Sequence, residues 1–475
     1  MNLDNKISGS DLKVNKNDIK RIFLYRVCGT GMGACACLLR EKGYDVEGGD
    51  TTFYPPMSTY LESTGIPLHN LNDLDMNYLK DFDLIVVGNV VPRASEEARK
   101  LEELGVPFTS FPAALGSLVL DDVNVIGLAG THGKTTTTYL MTQVFEKLGF
   151  NPGYFIGGVL DGRNSSSLGD GKYFFIESDE YDSAYFEKIS KFRLYSLNHM
   201  ILTSLEFDHA DIFGDIEDIK NEFKPVLEKF EGKVFFDDSY EASRDLISNY
   251  SSLKSFTYGE REVKSLDIST TGTKFSVLWN KEELIFKTNL LGRHNILNLS
   301  SVILFALSEG IELSKLQSAV EDLSLVRRRQ EYRGTYKGAI VIDDFAHHPR
   351  AVALTTDGIK SKYPDKKIKI VMEPNSATAR SDIFQSEFAD SLKLADYVVF
   401  AKPNRPTSVK GVGDLDGEKI VSTLKERGIE GVVTQDLNSL RTVIDSIVED
   451  DTVLLILSNG TCLGLWQSSF VDELS

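Results

Sequence analysis

Short apolar runs alternate with amphipathic stretches along most of this 475-residue chain. Continuous apolar runs of about four to eight residues are typical of strands buried on both faces of a parallel sheet, and apolar positions spaced three and four apart are typical of helices packed on it. We predict strands at residues 22–27, 44–48, 84–87, 106–108, 123–129, 173–176, 200–203, 234–236, 339–342, 368–371, 397–400 and 453–456. The alternation predicts an α/β fold.

The runs fall into three groups, and the chain length agrees with about three domains of ordinary size. We predict an N-terminal Rossmann-like domain over residues 1–121 and a central P-loop ATPase domain with a mixed sheet over residues 122–325. A polar turn at residues 280–283, between two apolar runs, predicts an antiparallel hairpin appended to the central domain. Residues 326–475 repeat the alternation and predict a second, C-terminal Rossmann-like domain.

A glycine-rich loop lies directly between the run 123–129 and a helical pattern that continues from Tyr139. Loop amides and the positive end of a helix dipole together form a binding site for polyphosphate. Lys134 can reach the terminal phosphates and Thr135 can ligate Mg²⁺, although Leu128 stands where the general pattern has glycine. The loop predicts binding and cleavage of ATP or another nucleoside triphosphate. Its residues are Gly130, Thr131, His132, Gly133, Lys134, Thr135 and Thr136.

Another glycine turn, the first along the chain, follows the first apolar run. A helical pattern comes next, and the strand after it ends near Asp50, about where a Rossmann unit carries its ribose-binding acid. With Ala34 in place of the third glycine, the pattern favours a dinucleotide-type βαβ unit. A nicotinamide-dependent oxidoreductase would leave the phosphate loop unexplained. The turn consists of Gly29, Thr30, Gly31, Met32 and Gly33.

Acidic residues follow two strands of the predicted central sheet. Glu177, Asp179 and Glu180 come directly after one of them, and His209 follows another among further acids. Carboxylate oxygen is the ligand that Mg²⁺ prefers, so Glu177 is the first candidate for a magnesium ligand beside the phosphate loop. The alternative for these acids is a solvated turn. The surroundings of His209 favour a ligand to a second Mg²⁺, or a group that fixes a ligand, over a core histidine.

The composition restricts the possible partners. Seventy acidic residues against 52 basic ones give a formal charge of −18, which disfavours nucleic acid and anionic membranes over most of the surface. The arginines 327–329 are the obvious local cationic group, with a solvated cluster as the alternative. No apolar run approaches the ~18 residues of a membrane span and the first twenty residues are polar, so we expect a cytoplasmic protein. We interpret the four cysteines as reduced packing residues.

Taken together, the motifs resemble those of the Mur ligase family, the ATP-dependent amide-forming ligases of peptidoglycan synthesis. Six dispersed motifs occur in the order of that family, so the resemblance extends over essentially the whole chain. They are residues 130–136, Glu177 with Asp179 and Glu180, Asp208 with His209, His294 with Asn295, Arg329, and residues 343–349. The resemblance implies an N-terminal domain that binds a UDP-sugar, a central ATPase domain and a C-terminal domain that binds the amino substrate.

The resemblance also implies roles for individual residues. Lys134 and the loop amides would hold the β- and γ-phosphates, Thr135 and Glu177 would hold Mg²⁺, and His209 would help to bind a second metal ion. The catalytic residues would be Lys134, Glu177 and His209, and the UDP-sugar would lie on the turn 29–33 with Asp50. The other nucleotide-binding candidates are Asn295, Arg329 and Asp344, and the amino-substrate candidates are Ser376, Arg380 and His348.

The implied substrates are ATP, UDP-N-acetylmuramate and an amine, with Mg²⁺ as cofactor. The amine is either the tripeptide L-Ala-γ-D-Glu-meso-diaminopimelate, in peptidoglycan recycling, or L-alanine, in biosynthesis. The stretches that favour the tripeptide are residues 54–58, 190–192, 205–213 and 457–460. Asn375 departs from that pattern, in which an arginine is usual, and Arg380 is a candidate replacement. A nucleotide-binding protein without ligase activity is a third alternative, and we expect a monomer.

Overall fold

The computed structural model describes residues 2–54, 57–158, 160, 162–269 and 271–475. Pro55 and Pro56, within the sequence stretch 54–58, therefore lie outside the described residues. The chain divides into two compact units. Unit 1 contains Met1–Glu206 and Glu217–Thr257, and unit 2 contains Phe207–Ile216 and Tyr258–Ser475.

The first sheet of unit 1 is parallel, with the strand order β3-β2-β1-β4-β5. Its strands are β1 Arg21–Tyr25, β2 Asp45–Asp50, β3 Leu68–Asn70, β4 Leu84–Val87 and β5 Phe108–Ser110. The accompanying helices are α1 Gly9–Asn15, α2 Thr30–Lys42, α3 Met57–Thr64, α4 Glu96–Glu103 and α5 Phe111–Ala114. Strand β4 is apolar and buried at every position, as expected of an interior parallel strand. Helix α2 ends at Gly43, whose φ of 107° favours glycine.

The central sheet of unit 1 is mixed, with the order β14-β13-β12-β6-β9-β7-β8, and β7 pairs antiparallel with β8. The strands of this region are β6 Asn124–Ala129, β7 Gly153–Phe155, β8 Ser166–Ser167, β9 Tyr173–Ser178, β10 Asp182–Ala184, β11 Glu187–Ser190, β12 His199–Leu202, β13 Lys233–Asp237 and β14 Lys254–Tyr258. Strands β10 and β11 form a separate antiparallel pair. The helices are α6 Lys134–Lys147, α7 Ile216–Leu227 and α8 Glu241–Ser248.

Unit 2 begins with a small antiparallel sheet in the order β15-β16-β17, followed by two helices. These elements are β15 Val263–Ser269, β16 Gly272–Trp279, β17 Glu282–Thr288, α9 Arg293–Ser308 and α10 Leu313–Ala319. The hairpin itself is confirmed, with a tighter turn than residues 280–283, and it belongs to unit 2 rather than to the unit that carries the phosphate loop. Asn280 and Lys281 both have positive φ, as a two-residue hairpin turn that matches the strand twist requires.

The last sheet has the order β18-β19-β23-β20-β21-β22, parallel except for the antiparallel edge strand β18. Its strands are β18 Glu331–Tyr336, β19 Ala339–Asp344, β20 Lys367–Glu373, β21 Tyr397–Ala401, β22 Glu430–Thr434 and β23 Thr452–Ser458. The helices are α11 Pro349–Lys362, α12 Gln385–Ser391, α13 Gly417–Glu426 and α14 Leu437–Ile447. Ile370 and Val371 point into different cores because successive side chains of a strand face opposite sides of the sheet.

The predicted fold class is therefore confirmed: an α/β protein with an N-terminal Rossmann-like sheet, a mixed central sheet that carries the phosphate loop, and a C-terminal Rossmann-like sheet. The cysteines, at positions 28, 35, 37 and 462, are free and buried, which agrees with their interpretation as packing residues. Among the described residues, no helix combines the length and the apolar character that crossing a membrane requires.

Candidate active site

The phosphate loop joins β6 to α6, in the order that the sequence predicts. Gly130 has a φ of 126°, and a Cβ atom there would lie 2.5 Å from the carbonyl oxygen of Ser204. Gly133 has a φ of 84° and is the N-cap of α6. Both positions favour glycine because of their positive φ, and Gly130 also because of the close approach of backbone. The loop is therefore tight, and the helix begins at Lys134.

The segment after β12 holds this loop in place. Ser204 Oγ accepts a hydrogen bond of 2.7 Å from the amide of His132. Thr131 Oγ1 donates to the carbonyl of Glu206 at 3.0 Å and accepts from the amide of Glu206 at 2.9 Å. His132 Nε2 also lies 3.4 Å from Glu206 Oε2. Because β12 pairs directly with β6, the loop is fixed by the end of the neighbouring strand.

Lys134 lies against a buried acid. Its Nζ donates to the carbonyl of Gly130 and to the two carboxylate oxygens of Glu180 at 3.1 and 3.3 Å. Burial alone would lower the pKa of Lys134, but the carboxylate of Glu180, followed by two further acids, raises it above its usual value. The side chain is thus held as an ammonium group at the N-terminus of α6, where the helix dipole also favours an anion.

Thr135 and Glu177 are in direct contact. Thr135 Oγ1 donates to Glu177 Oε1 at 2.8 Å, and the amide of Gly157 donates to Glu177 Oε2 at 2.8 Å. The contact follows from the sheet register, because β6 and β9 are parallel and Leu128 pairs with Glu177. A hydroxyl group beside a carboxylate provides the oxygen ligands that Mg²⁺ prefers. These residues therefore fit a magnesium ion next to the phosphate loop.

Asp179 lies two residues further along and contacts a second lysine. Its Oδ2 accepts a hydrogen bond of 2.9 Å from Lys191 Nζ, and its Oδ1 accepts one of 3.0 Å from the amide of Tyr181. Burial alone would raise the pKa of Asp179, but attraction to Lys191 and then to Lys134 lowers it to about 2. The carboxylate therefore remains ionised, under the influence of two ammonium groups.

His209 belongs to unit 2, whereas the phosphate loop belongs to unit 1. The amide of His209 donates to Oδ1 of Asp208 at 2.7 Å, and its φ of 55° is left-handed. The following amide, that of Ala210, donates to Thr378 Oγ1 at 2.9 Å. These contacts anchor the segment within unit 2. The metal-binding role of His209 stays a prediction.

Two of the nucleotide-binding candidates, Arg329 and Asp344, are close together in unit 2. Asp344 Oδ2 accepts from the amide of Gln330 at 2.8 Å, and the guanidinium of Arg329 lies 5.2 Å from the ring centroid of Phe345. Burial raises the pKa of Asp344, and the charge of Arg329 opposes that rise. The two side chains therefore interact electrostatically, although each also has a structural contact of its own.

Asn295 lies in the first turn of helix α9, near the same group. It is only 3% exposed, and its Nδ2 donates to the carbonyl of Leu291 at 2.8 Å. Its neighbour His294 has Nε2 3.2 Å from Nε2 of Gln330, and burial, followed by the charge of Arg329, lowers the pKa of His294 to about 4. The amide of Asn295 thus stabilises the start of the helix, and its role in binding adenine stays a prediction.

The amino-substrate candidates Ser376 and Arg380 lie in one turn after β20. Arg380 Nη1 donates to the carbonyl of Asn375 at 2.5 Å and contacts its Oδ1 at 3.3 Å, and Nε donates to the carbonyl of Pro406 at 3.2 Å. Ser376 Oγ accepts from the amide three residues further on at 3.2 Å. Backbone carbonyls and the side chain of Asn375 therefore hold Arg380. Asn375 stands where an arginine is usual, and Arg380 is the candidate replacement for that positive charge.

The stretches 373–380 and 457–460 meet at the carboxyl edge of the last sheet. Glu373 pairs with Ser458 in the parallel register, and its Oε2 accepts a hydrogen bond of 2.5 Å from Ser458 Oγ. The amide of Asn375 donates to Asn459 Oδ1 at 2.8 Å. His348, the third amino-substrate candidate, is the N-cap of α11. Two motifs that are distant in sequence therefore lie side by side, as strand ends of a parallel sheet do.

The first glycine turn joins β1 to α2, with Gly29 as the N-cap of the helix and Thr30 as its first residue. A Cβ atom at Gly31 would lie 3.1 Å from Cζ of Phe111, and one at Gly33 would overlap the side chain of Met57. The glycines therefore allow close packing of this turn. Met32 is buried in the same helix.

Asp50 ends β2, where a ribose-binding acid is expected. Its Oδ2 accepts from the amide of Cys28 at 2.9 Å, and its Oδ1 accepts from the amide of Thr51 at 2.8 Å. Arg26 Nη1 lies 3.3 Å from the same Oδ1. The carboxylate therefore fixes the glycine turn, and its contact with a UDP-sugar stays a prediction.

Sequence reasoning missed the contacts of Ser204, Gly157 and Thr378. Ser204 is the second residue after the end of β12, so the rule that strand ends of a parallel sheet form the site could have identified it. The Gly157 amide and Thr378 Oγ1 act on partners 20 and 168 residues away, and no local pattern marks them.

Three family models match the chain. They are "Mur ligase family, catalytic domain" at residues 21–122, "Mur ligase middle domain" at residues 128–306 and "Mur ligase, glutamate ligase domain" at residues 328–460. The UDP-N-acetylmuramate–L-alanyl-gamma-D-glutamyl-meso-2,6-diaminoheptandioate ligase of Escherichia coli (strain K12) is 33% identical, over 94% of this chain and 97% of its own length. The protein of the same name from Haemophilus influenzae is 34% identical, over 96% and 99%.

A solved structure is similar over nearly the same length. The murein peptide ligase from Psychrobacter arcticus 273-4 has a TM-score of 0.65 and 29% identity, and the match covers 94% of this chain and 97% of that one. The matches, together with the sheets that place the phosphate loop and Glu177 side by side, agree in one conclusion: this chain belongs to the Mur ligase family.

Proposed function

We propose that this ATP-dependent ligase joins UDP-N-acetylmuramate to the tripeptide L-Ala-γ-D-Glu-meso-diaminopimelate, as in peptidoglycan recycling. The substrates named for the two relatives at 33 and 34% identity carry this choice, because both proteins match nearly the whole chain. The contact between Thr135 and Glu177 beside Lys134 supports the use of ATP with a divalent cation. Ligation of L-alanine to UDP-N-acetylmuramate is the alternative reaction.

In this proposal the phosphates of ATP lie at the N-terminus of α6, and Lys134 turns from Glu180 to the terminal phosphate. Thr135 and Glu177 would hold Mg²⁺, which would supply positive charge to the phosphate oxygens. A carboxylate oxygen of the muramate then bonds to the γ-phosphorus while the bond to ADP breaks, giving an acyl phosphate. Positioning and electrostatic stabilisation would supply most of the rate enhancement of this step.

The second step consumes the acyl phosphate. The unprotonated amine of the tripeptide attacks the carbonyl carbon, phosphate leaves with the bonding electrons, and the nitrogen loses a proton. Ser376, Arg380 and His348 would bind the peptide, and His209 would help to hold a second metal ion. Asn295, Arg329 and Asp344 would contact the nucleotide, and residues 29–33 with Asp50 the UDP-sugar. No residue of the protein is required as a nucleophile.

We further propose the domain limits 1–121, 122–325 and 326–475, which the ranges of the three family models support. The expected substrates, ATP and a UDP-sugar, are cytoplasmic metabolites, so we propose that the enzyme is cytoplasmic. We also propose that it is a monomer. Sedimentation of the purified protein would check the monomer.

Phosphate release from ATP and Mg²⁺ with UDP-N-acetylmuramate tests the proposed reaction, with the tripeptide compared with L-alanine as the amine. Turnover that depends on the tripeptide is expected. Turnover with L-alanine alone would assign the chain to the biosynthetic reaction instead. Absence of phosphate release with the tripeptide and with L-alanine would contradict both reactions. Chelation of the metal should stop turnover with whichever amine is used.

A further inference from the structure

Lys191 lies at a position in unit 1 that the proposed reaction does not yet use. It begins the short helical turn Lys191–Leu194 that follows β11. Its Nζ donates to Asp179 Oδ2 at 2.9 Å, and it lies 6.0 Å from the ring centroid of Phe111 and 5.6 Å from that of Tyr181. The side chain is 16% exposed. An ammonium group is thus held between a carboxylate and two aromatic rings.

One side of this lysine faces the first glycine turn. Phe111, over whose ring Nζ lies, begins α5 and packs on Gly31, where a Cβ atom would be only 3.1 Å from the ring. The preceding residue, Ser110, donates from Oγ to Glu187 Oε2 at 2.5 Å, and Glu187 is the first residue of β11. The segment that carries Lys191 is therefore fixed to the carboxyl edge of the first sheet at both of its ends.

The other side of Lys191 faces the phosphate loop. Asp179, its partner, directly precedes Glu180, whose carboxylate lies 3.1 Å from the ammonium of Lys134 in the phosphate loop. A lysine ammonium has three N–H donors. Among the described residues, Asp179 is the hydrogen-bond acceptor that Nζ contacts, so donors remain for oxygen atoms of a ligand. Phe111, Lys191 and the adjacent acids Asp179 and Glu180 thus link the first glycine turn to the phosphate loop.

We propose that Lys191 binds the lactyl carboxylate of UDP-N-acetylmuramate and directs it towards the phosphate that Lys134 holds. This inference rests on the proposed function. A sugar nucleotide anchored at the turn 29–33 has to bring its carboxylate to the phosphate loop, and Lys191 is a cation whose contacts lead to both places. An ammonium group hydrogen-bonded to a carboxylate positions it for in-line attack without forming a covalent bond. The hydrogen bond to Asp179 orients the lysine.

Two sugar nucleotides isolate the group that Lys191 is proposed to bind. UDP-N-acetylmuramate carries the lactyl carboxylate and UDP-N-acetylglucosamine lacks it. Calorimetric titration of each, with Mg²⁺ and a non-hydrolysable ATP analogue present, should show weaker binding of UDP-N-acetylmuramate to Lys191→Met by about 10- to 100-fold, the range for a hydrogen bond to a charged group. Binding of UDP-N-acetylglucosamine should be unchanged. Lys191→Arg, which keeps the charge, should recover part of the affinity.

Lys188→Met is the matched control. Lys188 lies on β11, three residues before Lys191, and its Nζ pairs with Asp182 Oδ2 at 2.6 Å, but its side chain is 57% exposed. This variant should bind both sugar nucleotides as the wild type does. Retained binding of the ATP analogue by Lys191→Met establishes that the variant is folded.

Three results would overturn the proposal. They are equal loss of both sugar nucleotides in Lys191→Met, unchanged binding of both, and a wild type that does not discriminate between them. Failure of the proposed function is separate, because it is read from wild-type turnover. A wild type that prefers UDP-N-acetylmuramate through Lys191 but releases no phosphate with the tripeptide would refute the tripeptide reaction and leave the role of Lys191 supported.

Discussion

Thr135 Oγ1 donates a hydrogen bond of 2.8 Å to Glu177 Oε1, which joins the first turn of α6 to the end of β9. The two residues are 42 positions apart in sequence, and the parallel pairing of β6 with β9 brings them together. Gly157 donates its amide to the second carboxylate oxygen and so fixes the orientation of Glu177. In the proposed function, a carboxylate oriented in this way would exchange the hydroxyl contact for a metal ion without a large rearrangement.

We expect Glu177→Gln to lower turnover by about 100-fold or more, because the amide removes the negative charge from the proposed metal ligand while it keeps the shape of the side chain. The Mg²⁺ concentration needed for half-maximal phosphate release should rise. Glu96→Gln is the control, since Glu96 lies on α4 with its side chain 70% exposed. An unaltered Mg²⁺ dependence in Glu177→Gln would contradict the assignment.

Lys134→Ala should abolish phosphate release and leave the binding of UDP-N-acetylmuramate nearly intact. The ammonium of Lys134 is proposed to stabilise charge on the transferring phosphate, a role that an apolar side chain cannot take over. Turnover and titration with the sugar nucleotide, measured on the same preparation, separate the two effects. Retained turnover would remove the phosphate loop from the mechanism.

The strands that sequence patterns predict best are those in the middle of the sheets. Residues 84–87 form β4 without any change of limits, because an interior parallel strand is apolar at every position. Of the strands that the patterns missed, β15, β18 and β22 are sheet edges, where exposed positions break the apolar run. Their pairing depends on backbone hydrogen bonds to a neighbouring strand, and a local pattern does not record that neighbour.

The contacts of the candidate site likewise differ in how far the sequence predicts them. Thr135 and Glu177 could be predicted because Thr135 follows the glycine loop after one recognisable strand, Glu177 lies at the end of another, and the two strands are parallel. The pairing of Lys134 with Glu180 and of Lys191 with Asp179 could not, because four acids and two lysines allow several combinations that only the turn geometry selects. The packing of His209 in unit 2, through Ala210 and Thr378, likewise depends on a contact across 168 residues.

Gly130→Ala should destabilise the protein by about 3 kcal/mol and abolish turnover, because the new methyl group would meet the Ser204 carbonyl in a left-handed backbone conformation. Gly149→Ala is a matched control: its φ of 88° is also positive, but no atom lies within 4 Å of the added Cβ. That control should cost only about 1 kcal/mol and leave activity unchanged. Thermal unfolding and phosphate release measure the two effects. Equal losses in both variants would show that backbone conformation alone is responsible.

His294 should make the protein sensitive to acid. Its folded pKa is lowered from 6.5 to about 4, so the unfolded state binds the extra proton first as the pH falls. The stability that the neutral ring provides is present above the unfolded pKa and is lost as the pH falls from 6.5 towards 4. As the pH falls from roughly 7.5 to 5, the free energy of unfolding of His294→Gln should therefore rise by about 2 kcal/mol relative to that of the wild type.

Urea unfolding of the wild type and of His294→Gln at the two pH values measures that relative gain. The difference at the higher pH gives the cost of losing the contact with Gln330 and serves as the internal control. A difference in stability that stays constant with pH would show that His294 titrates normally in the folded protein.

Arg380→Lys should raise the KM for the tripeptide by about tenfold and leave the KM values for ATP and UDP-N-acetylmuramate unchanged. The guanidinium donates to the carbonyls of Asn375 and Pro406, and a lysine ammonium keeps the charge but not this fork of donors. Burial, followed by the charge of Arg405, lowers the pKa of Arg380, which indicates that an incoming carboxylate would relieve repulsion between two cations. Arg427→Lys is the control, because Arg427 pairs with Asp390 at 2.7 Å on the exposed surface of unit 2. If all three KM values rose together in Arg380→Lys, Arg380 would support the fold of this turn rather than bind the peptide.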